Sequence, residues 1–225
     1  MNIKNIIFDL GGVLLNINYK VTIEAFKNLG ITNFEELFSQ ASQNQIFDGL
    51  DTGRLSPAEF RDRLRKVSGL DLSDEQINTA WNALILDFPA QRITLLEDTA
   101  QHYRTFLLSN TNAIHYPAYT AILKKEHGYE SLAVLFERHY LSHEIGMRKP
   151  DVEIYQFVLQ ENDLKGDETL FIDDTLKHVE GARKAGLQAY WLDLEQEKVE
   201  DLFDGGRLQE SFFTKLQNQL QQPGQ

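Results

Sequence analysis

The chain has 225 residues, a net charge of -12 and no cysteine, with 42% hydrophobic and 25% charged residues. That length suits one α/β core with an insertion or two small domains. The acidic balance argues against a nucleic-acid partner, which would need clustered Lys and Arg, and the missing cysteines exclude disulfides, thiolate metal sites and cysteine nucleophiles. No apolar run approaches a membrane span, and the start lacks a basic segment followed by an apolar one. The expectation is a cytoplasmic protein with no membrane and no nucleic-acid partner. Its oligomeric state carries no signal in the sequence.

Ile6-Ile7-Phe8 is a short apolar run that ends abruptly at Asp9. Near-continuous hydrophobics of this kind suit a parallel strand buried on both faces. The carboxyl ends of such strands face the ligand crevice, so Asp9 stands where chemistry usually sits. Gly11 and Gly12 follow, allowing a tight turn and close approach of the backbone to a ligand.

Helical spacing then takes over. Val21, Ala25, Phe26 and Leu29 share one face before Gly30, and Leu37, Phe38, Ala41 and Ile46 continue the pattern. Ser56-Pro57-Ala58-Glu59 combines a capping box with proline at the first helical position, with Phe60, Leu64 and Val67 behind it. Ser73-Asp74-Glu75-Gln76 is a second box, preceding Ile77, Ala80, Trp81 and Leu84. Residues 17–87 thus read as a helical insertion, in which Trp81, like Phe88 just beyond it, is simplest as a core residue.

From residue 91 helices and strands alternate, which implies parallel crossovers. A helix over 91–103 leads to Thr105-Phe106-Leu107-Leu108, which stops at Ser109-Asn110-Thr111-Asn112. A brief strand is expected near His139-Tyr140-Leu141, a helix from Pro150, and a strand Leu170-Phe171-Ile172 ending in Asp173-Asp174. Helix 176–185, strand 188–192, an amphipathic stretch 208–220 and a frayed tail complete the chain. His139 and His143 have the spacing of a metal pair, but at a strand end that spacing does not align two rings.

The three clearest strands each end in polar groups: Asp9, Ser109-Asn110 and Asp173-Asp174. A parallel sheet brings these ends to one edge. Lys149 precedes Pro150, which biases it to an extended backbone. Clustered carboxylates repel one another unless a hard cation such as Mg²⁺ holds them. An aspartate can attack phosphorus, while the cation, a lysine and a hydroxyl neutralise the transferring oxygens. The set therefore points to phosphoryl transfer.

Phe8-Asp9-Leu10-Gly11-Gly12-Val13-Leu14, Leu108-Ser109-Asn110, Lys149-Pro150 and Ile172-Asp173-Asp174 together resemble the four ordered motifs of the haloacid dehalogenase superfamily. Within it the chain looks nearest to bacterial α-D-glucose-1-phosphate phosphatases. The resemblance implies a doubly wound, Rossmann-like parallel sheet, formed by residues 1–16 plus 88–225, with a helical cap at 17–87 inserted after the first strand. It implies Asp9 as nucleophile and Lys149 as its catalytic partner, with Ser109, Asn110 and Lys149 holding phosphate. It implies Mg²⁺ on Asp9, the Gly11 carbonyl and Asp174, with Asp173 hydrogen-bonded or reaching metal through water, or the reverse assignment. Arg148 reads as a surface charge. The implied activity is Mg²⁺-dependent hydrolysis of a small phosphorylated metabolite, with sugar phosphates among the expected substrates.

One position departs from the resemblance. Phosphatases of this superfamily usually carry an acid–base aspartate two residues after the nucleophile, where this chain has Gly11. The substrate could have a good leaving group, such as an anomeric sugar phosphate. Alternatively Asn16, Tyr19, His143, Asp48 or Asp51 could supply the proton. A third reading is a catalytically weak binding protein. Among enzymes, the alternative is a dehalogenase or another Asp-nucleophile hydrolase of the same fold.

Overall fold

The computed structural model describes residues 2–34 and 46–221. Its centre is a parallel five-stranded sheet in the order β3-β2-β1-β4-β5, formed by β1 Asn5–Phe8, β2 Arg104–Ser109, β3 Arg138–Leu141, β4 Thr169–Asp173 and β5 Gln188–Trp191. β1 is central. The chain passes from it to β2 and β3 on one side, then crosses back to β4 and β5 on the other. That reversal opens a crevice at the carboxyl ends of β1 and β4.

Between β1 and β2 run α1 Tyr19–Asn28, α2 Ile46–Asp51, α3 Pro57–Ser68 and α4 Asp74–Asn82. Both expected capping boxes are formed, at Ser56 with Glu59 and at Ser73 with Gln76, each contributing about 1 kcal/mol to its helix. These helices enclose an aromatic core in which Phe26 stacks on Phe34 at 4.2 Å, and Trp81 lies 5.0 Å from Phe47 and 5.5 Å from Phe60. Leu37, Phe38, Ala41 and the expected tail beyond Gln221 fall outside the described residues. Val21 and Val67, expected on the inner faces, are exposed; on α1 the inward positions are Thr22 and Phe26.

The sheet is covered on both faces, which explains why its strands lack polar alternation. On one face Ile6, Phe8, Leu107 and Ile172 pack under α5 Ala90–Thr99, α6 His115–His127 and α10 Glu210–Gln221. On the other, Ile7, Phe106, Leu108 and Phe171 pack under α8 Val152–Glu161 and α9 Leu176–Lys184. The short α7 Ser142–Ile145 follows β3. The helix expected from Pro150 starts instead at Val152, and the Lys149–Pro150 peptide is cis. The first helix after the insertion ends at Thr99, four residues before the 103 expected. A two-stranded hairpin, β6 Phe203–Asp204 and β7 Arg207–Leu208, escaped the sequence reading. Gly205 and Gly206 both take positive φ there, and Asp-Gly-Gly is a recognisable hairpin-turn signal.

The insertion is joined to the sheet by two antiparallel connections. Asn16 donates its N–H to the Asp87 carbonyl at 2.9 Å, and Leu86 donates to the Asn16 carbonyl at 2.9 Å. Further along, the insertion's contacts with the sheet's carboxyl edge include those around α2. Asp48 pairs with Arg148. Asp51 accepts a hydrogen bond from Asn112 at 3.1 Å. Gly53, with φ +67°, lies so close to α7 that an added Cβ would meet the His143 carbonyl oxygen at 2.3 Å.

The Gly53 contact is testable against Gly69, which has a similar φ of +69° but open space around it. Either glycine changed to alanine should lose about 1–2 kcal/mol from the left-handed backbone alone. Gly53→Ala should lose more, because a backbone oxygen must also move. Denaturant unfolding of the two variants measures the difference; equal losses would show that the close approach contributes nothing.

Candidate active site

Sheet register brings the expected residues together. Phe8 pairs with Leu107 and with Ile172, so Asp9 and Asp173 leave neighbouring strands at the same level, and Ser109 lies one residue farther along β2. Asp9 also donates its N–H to the Ile172 carbonyl at 3.0 Å. One carboxylate oxygen from each of Asp9, Asp173 and Asp174 can be chosen so that all lie within 4.8 Å of one another.

Lys149 is fully buried at the centre of this group. Its Nζ donates to Asp9 Oδ1 and to Asp173 Oδ2, both at 2.6 Å. Its backbone is clamped by Asn110, whose Nδ2 donates to the Lys149 carbonyl at 2.9 Å while its Oδ1 accepts the Lys149 N–H at 2.9 Å. Both ends of the Asn110 side-chain amide are thus engaged with the Lys149 backbone. Among the described residues nothing hydrogen-bonds the Ser109 hydroxyl, and Ser109 lies in the wall of the adjoining cavity.

The electrostatics divide the three carboxylates. Burial raises Asp9 well above the ordinary carboxylate range; Lys149 opposes that rise, and Asp173 and Asp174 add to it. Burial would raise Asp173 too, but Lys149 and His178 together hold it below its ordinary value. Asp174 is pushed up to about 6 by burial and by Asp173. His178 Nδ1 lies 3.1 Å from both oxygens of Asp173. No periodic or motif signal marked His178, which reaches the site from the first turn of α9.

Three carboxylates and one ammonium leave two formal negative charges in a largely buried space. An all-oxygen donor set with that excess fits a hard divalent cation. The Gly11 carbonyl is available as well, because the bridge to Leu15 uses the Leu10 carbonyl and the Gly12 N–H instead. It is Gly12, not Gly11, that requires glycine: its φ is +81°, and an added Cβ would lie 2.3 Å from Asp174 Oδ2. At Gly11 an added Cβ would meet only the Ile17 side-chain tip, at 3.0 Å.

A cavity of about 430 Å³ lies between this edge and the insertion. Leu15, Ile17, Phe47, Trp81 and Ile85 give it an apolar side; Ser109, Asn112, Asp48, Asp51 and Arg148 give it a polar one. Trp81 is therefore both a core residue and a wall, stacked on His115 at 5.0 Å. Arg148 is not a surface charge: its side chain is only 24% exposed and engages Asp48. Among the five groups considered as substitute proton sources, Asn16 faces Asp87 and Arg92, while Tyr19, Asp48 and Asp51 line the cavity.

The haloacid dehalogenase-like hydrolase family model matches residues 3–186. A D-ribitol-5-phosphate phosphatase from Bacteroides thetaiotaomicron is 29% identical over 84% of this chain and 91% of that protein. A sesquiterpene phosphatase from Aspergillus oryzae is 28% identical over 82% of this chain and 87% of its own. The crystal structure of a haloacid dehalogenase family enzyme from B. thetaiotaomicron, solved with magnesium and inorganic phosphate, superposes with a TM-score of 0.80 at 37% identity, covering 90% of this chain and all of that one. With its four motif segments gathered at one sheet edge, the chain belongs to the haloacid dehalogenase-like hydrolases.

Proposed function

We propose that the protein is a Mg²⁺-dependent phosphatase acting on a small phosphorylated metabolite of the sugar or polyol phosphate class, with Asp9 as the nucleophile. The observation that carries this reading is the buried Lys149, which holds Asp9 in a site that still has two negative charges to spare. The named activities of the two curated relatives agree with phosphate release, and the structural neighbour carries magnesium and phosphate. The ribitol phosphatase and the mixed polar and aromatic cavity favour a hydroxylated substrate.

Asp9, Asp174 and the Gly11 carbonyl hold the metal, with Asp173 kept on Lys149 and His178. When bound, Mg²⁺ supplies positive charge that relieves the carboxylate repulsion and draws the phosphate in. Asp9 attacks phosphorus, forming an aspartyl-phosphate as the ester oxygen departs, and water then releases phosphate. Lys149 and the Ser109 hydroxyl donate to the phosphoryl oxygens as their charge redistributes. The main-chain N–H of Asn110 adds a third donor. Residues 17–87 act as a cap that shapes the substrate's other half and limits water.

Asp9→Asn should reduce metal-dependent phosphate release to background while the circular dichroism spectrum stays unchanged, since the swap keeps volume and Lys149 keeps Asp173. Substantial hydrolysis by that variant would remove Asp9 from the mechanism, and a wild-type protein inert toward every phosphate ester would favour the binding-protein alternative.

The raised Asp9 and Asp174 carboxyls also predict a pH dependence. A group whose folded pKa is raised holds its proton up to that value, so the cation must displace protons on binding. Apparent Mg²⁺ affinity should therefore rise with pH through about 6, where Asp174 ionises, and continue to rise above it because of Asp9. Calorimetric Mg²⁺ titrations at pH 5.5 and 7.5, in two buffers of different ionisation enthalpy, would read both the affinity and the protons released. An affinity independent of pH would contradict the assignment.

A further inference from the structure

We propose that Asp51, at the end of α2, is the general acid of the reaction, supplying the leaving group's proton that Gly11 cannot. The inference rests on the phosphatase reading and deepens it.

Gly11 offers no proton, and its nearest neighbour on the side-chain side is apolar. The direction a side chain would take from Gly11 runs into Ile17, the first residue of the insertion, so an apolar group occupies that part of the wall. A proton donor must reach the leaving group from elsewhere around the same cavity. Most candidates are committed. Asp48 is held by Arg148. His178 leans on Asp173. His115 places Nδ1 on Asn82 Oδ1 at 2.8 Å, and burial pushes its pKa down to about 3. Tyr19 is more than half exposed, and its phenol, raised by the surrounding protein and by the nearby carboxylates, stays far above neutral.

Asp51 is different in both geometry and chemistry. Asn112 Oδ1 accepts the N–H groups of Ile114 and His115, which fixes its amide orientation and turns Nδ2 toward Asp51. That Nδ2 donates to Asp51 Oδ1 at 3.1 Å. Among the described residues nothing hydrogen-bonds the second oxygen, Oδ2, which keeps some exposed surface, and Asp51 lines the cavity. Burial, only partly offset by the Asn112 hydrogen bond, raises this carboxyl to about 6. An acid near neutral retains a useful protonated fraction at working pH while remaining strong enough to donate.

The step balances simply. As Asp9 forms its bond to phosphorus and the ester P–O bond breaks, Asp51 Oδ2 passes its proton to the departing alkoxide, which leaves as the alcohol. The resulting Asp51 carboxylate then takes a proton from the water that attacks the aspartyl-phosphate, which restores the starting state. The donor comes from the insertion and its orienting amide from the loop after β2. The acid is therefore complete only when the insertion sits on the sheet edge, where the Asp48–Arg148 pair and the Gly53 contact also hold it.

The test compares two esters with wild-type protein and Asp51→Asn, both with Mg²⁺. One is p-nitrophenyl phosphate, whose leaving group needs no proton. The other is propyl phosphate, whose leaving group needs one and which has no hydroxyl for Asp51 merely to bind. Asp51→Asn keeps the side-chain volume and an acceptor for Asn112. It should lower kcat/KM on propyl phosphate by about 10²–10⁴-fold, and on the aryl ester by at least tenfold less. Equal losses on both esters, or no loss on propyl phosphate, would overturn the assignment. If the variant does not fold, a wild-type series of leaving groups decides: a shallow dependence on leaving-group pKa supports an internal acid, whereas a steep one overturns it. Wild-type protein that releases no phosphate from p-nitrophenyl phosphate would instead sink the phosphatase reading, and this assignment with it.

Discussion

The site depends on one buried cation. Lys149 has no exposed surface, and an ammonium there would be untenable without the two carboxylates it touches. Equally, Asp9 and Asp173 could not stand this close at the end of adjacent strands without it. Removing one partner from such a buried arrangement typically costs about 3–5 kcal/mol. The proposed nucleophile, Asp9, is therefore also part of the fold's internal charge balance. Asn110 belongs to this arrangement through its grip on the Lys149 backbone.

The surroundings follow from that constraint. Lys149 neutralises only part of the carboxylate charge, and the remaining excess fits the proposed divalent cation. Gly12 permits Asp174 to approach, and among the described residues no main-chain N–H outside the regular elements bonds the Gly11 carbonyl. The helical insertion supplies the opposite wall through an aromatic core that extends into the cavity at Trp81 and Phe47. These two residues thus belong both to the insertion's core and to the cavity wall.

Much of this was legible in the residues. Apolar runs ending in Asp9, Ser109 and Asp173 locate three strands and their shared edge, because parallel strands leave a continuous hydrophobic signature. The capping boxes at Ser56 and Ser73 mark helix starts through local hydrogen bonds alone. Features set by tertiary contacts were not legible. Arg148 reads as a surface charge until α2 brings Asp48 to it, and His178 has no meaning until α9 folds back over β4. Val21 and Val67 fit an inward stripe by spacing but lie outside it, since the packing of neighbouring helices decides which arc is covered. The grip of the Asn110 amide on Lys149 has no local signal either, because the two lie 39 residues apart.

The most direct test of the central claim is to trap the covalent intermediate. Borohydride added during turnover of p-nitrophenyl phosphate with Mg²⁺ reduces an aspartyl-phosphate to homoserine, which peptide mass spectrometry can locate. The account predicts conversion at residue 9, dependent on both Mg²⁺ and substrate. Turnover with no modified aspartate, or modification at Asp173 or Asp174 instead, would contradict it.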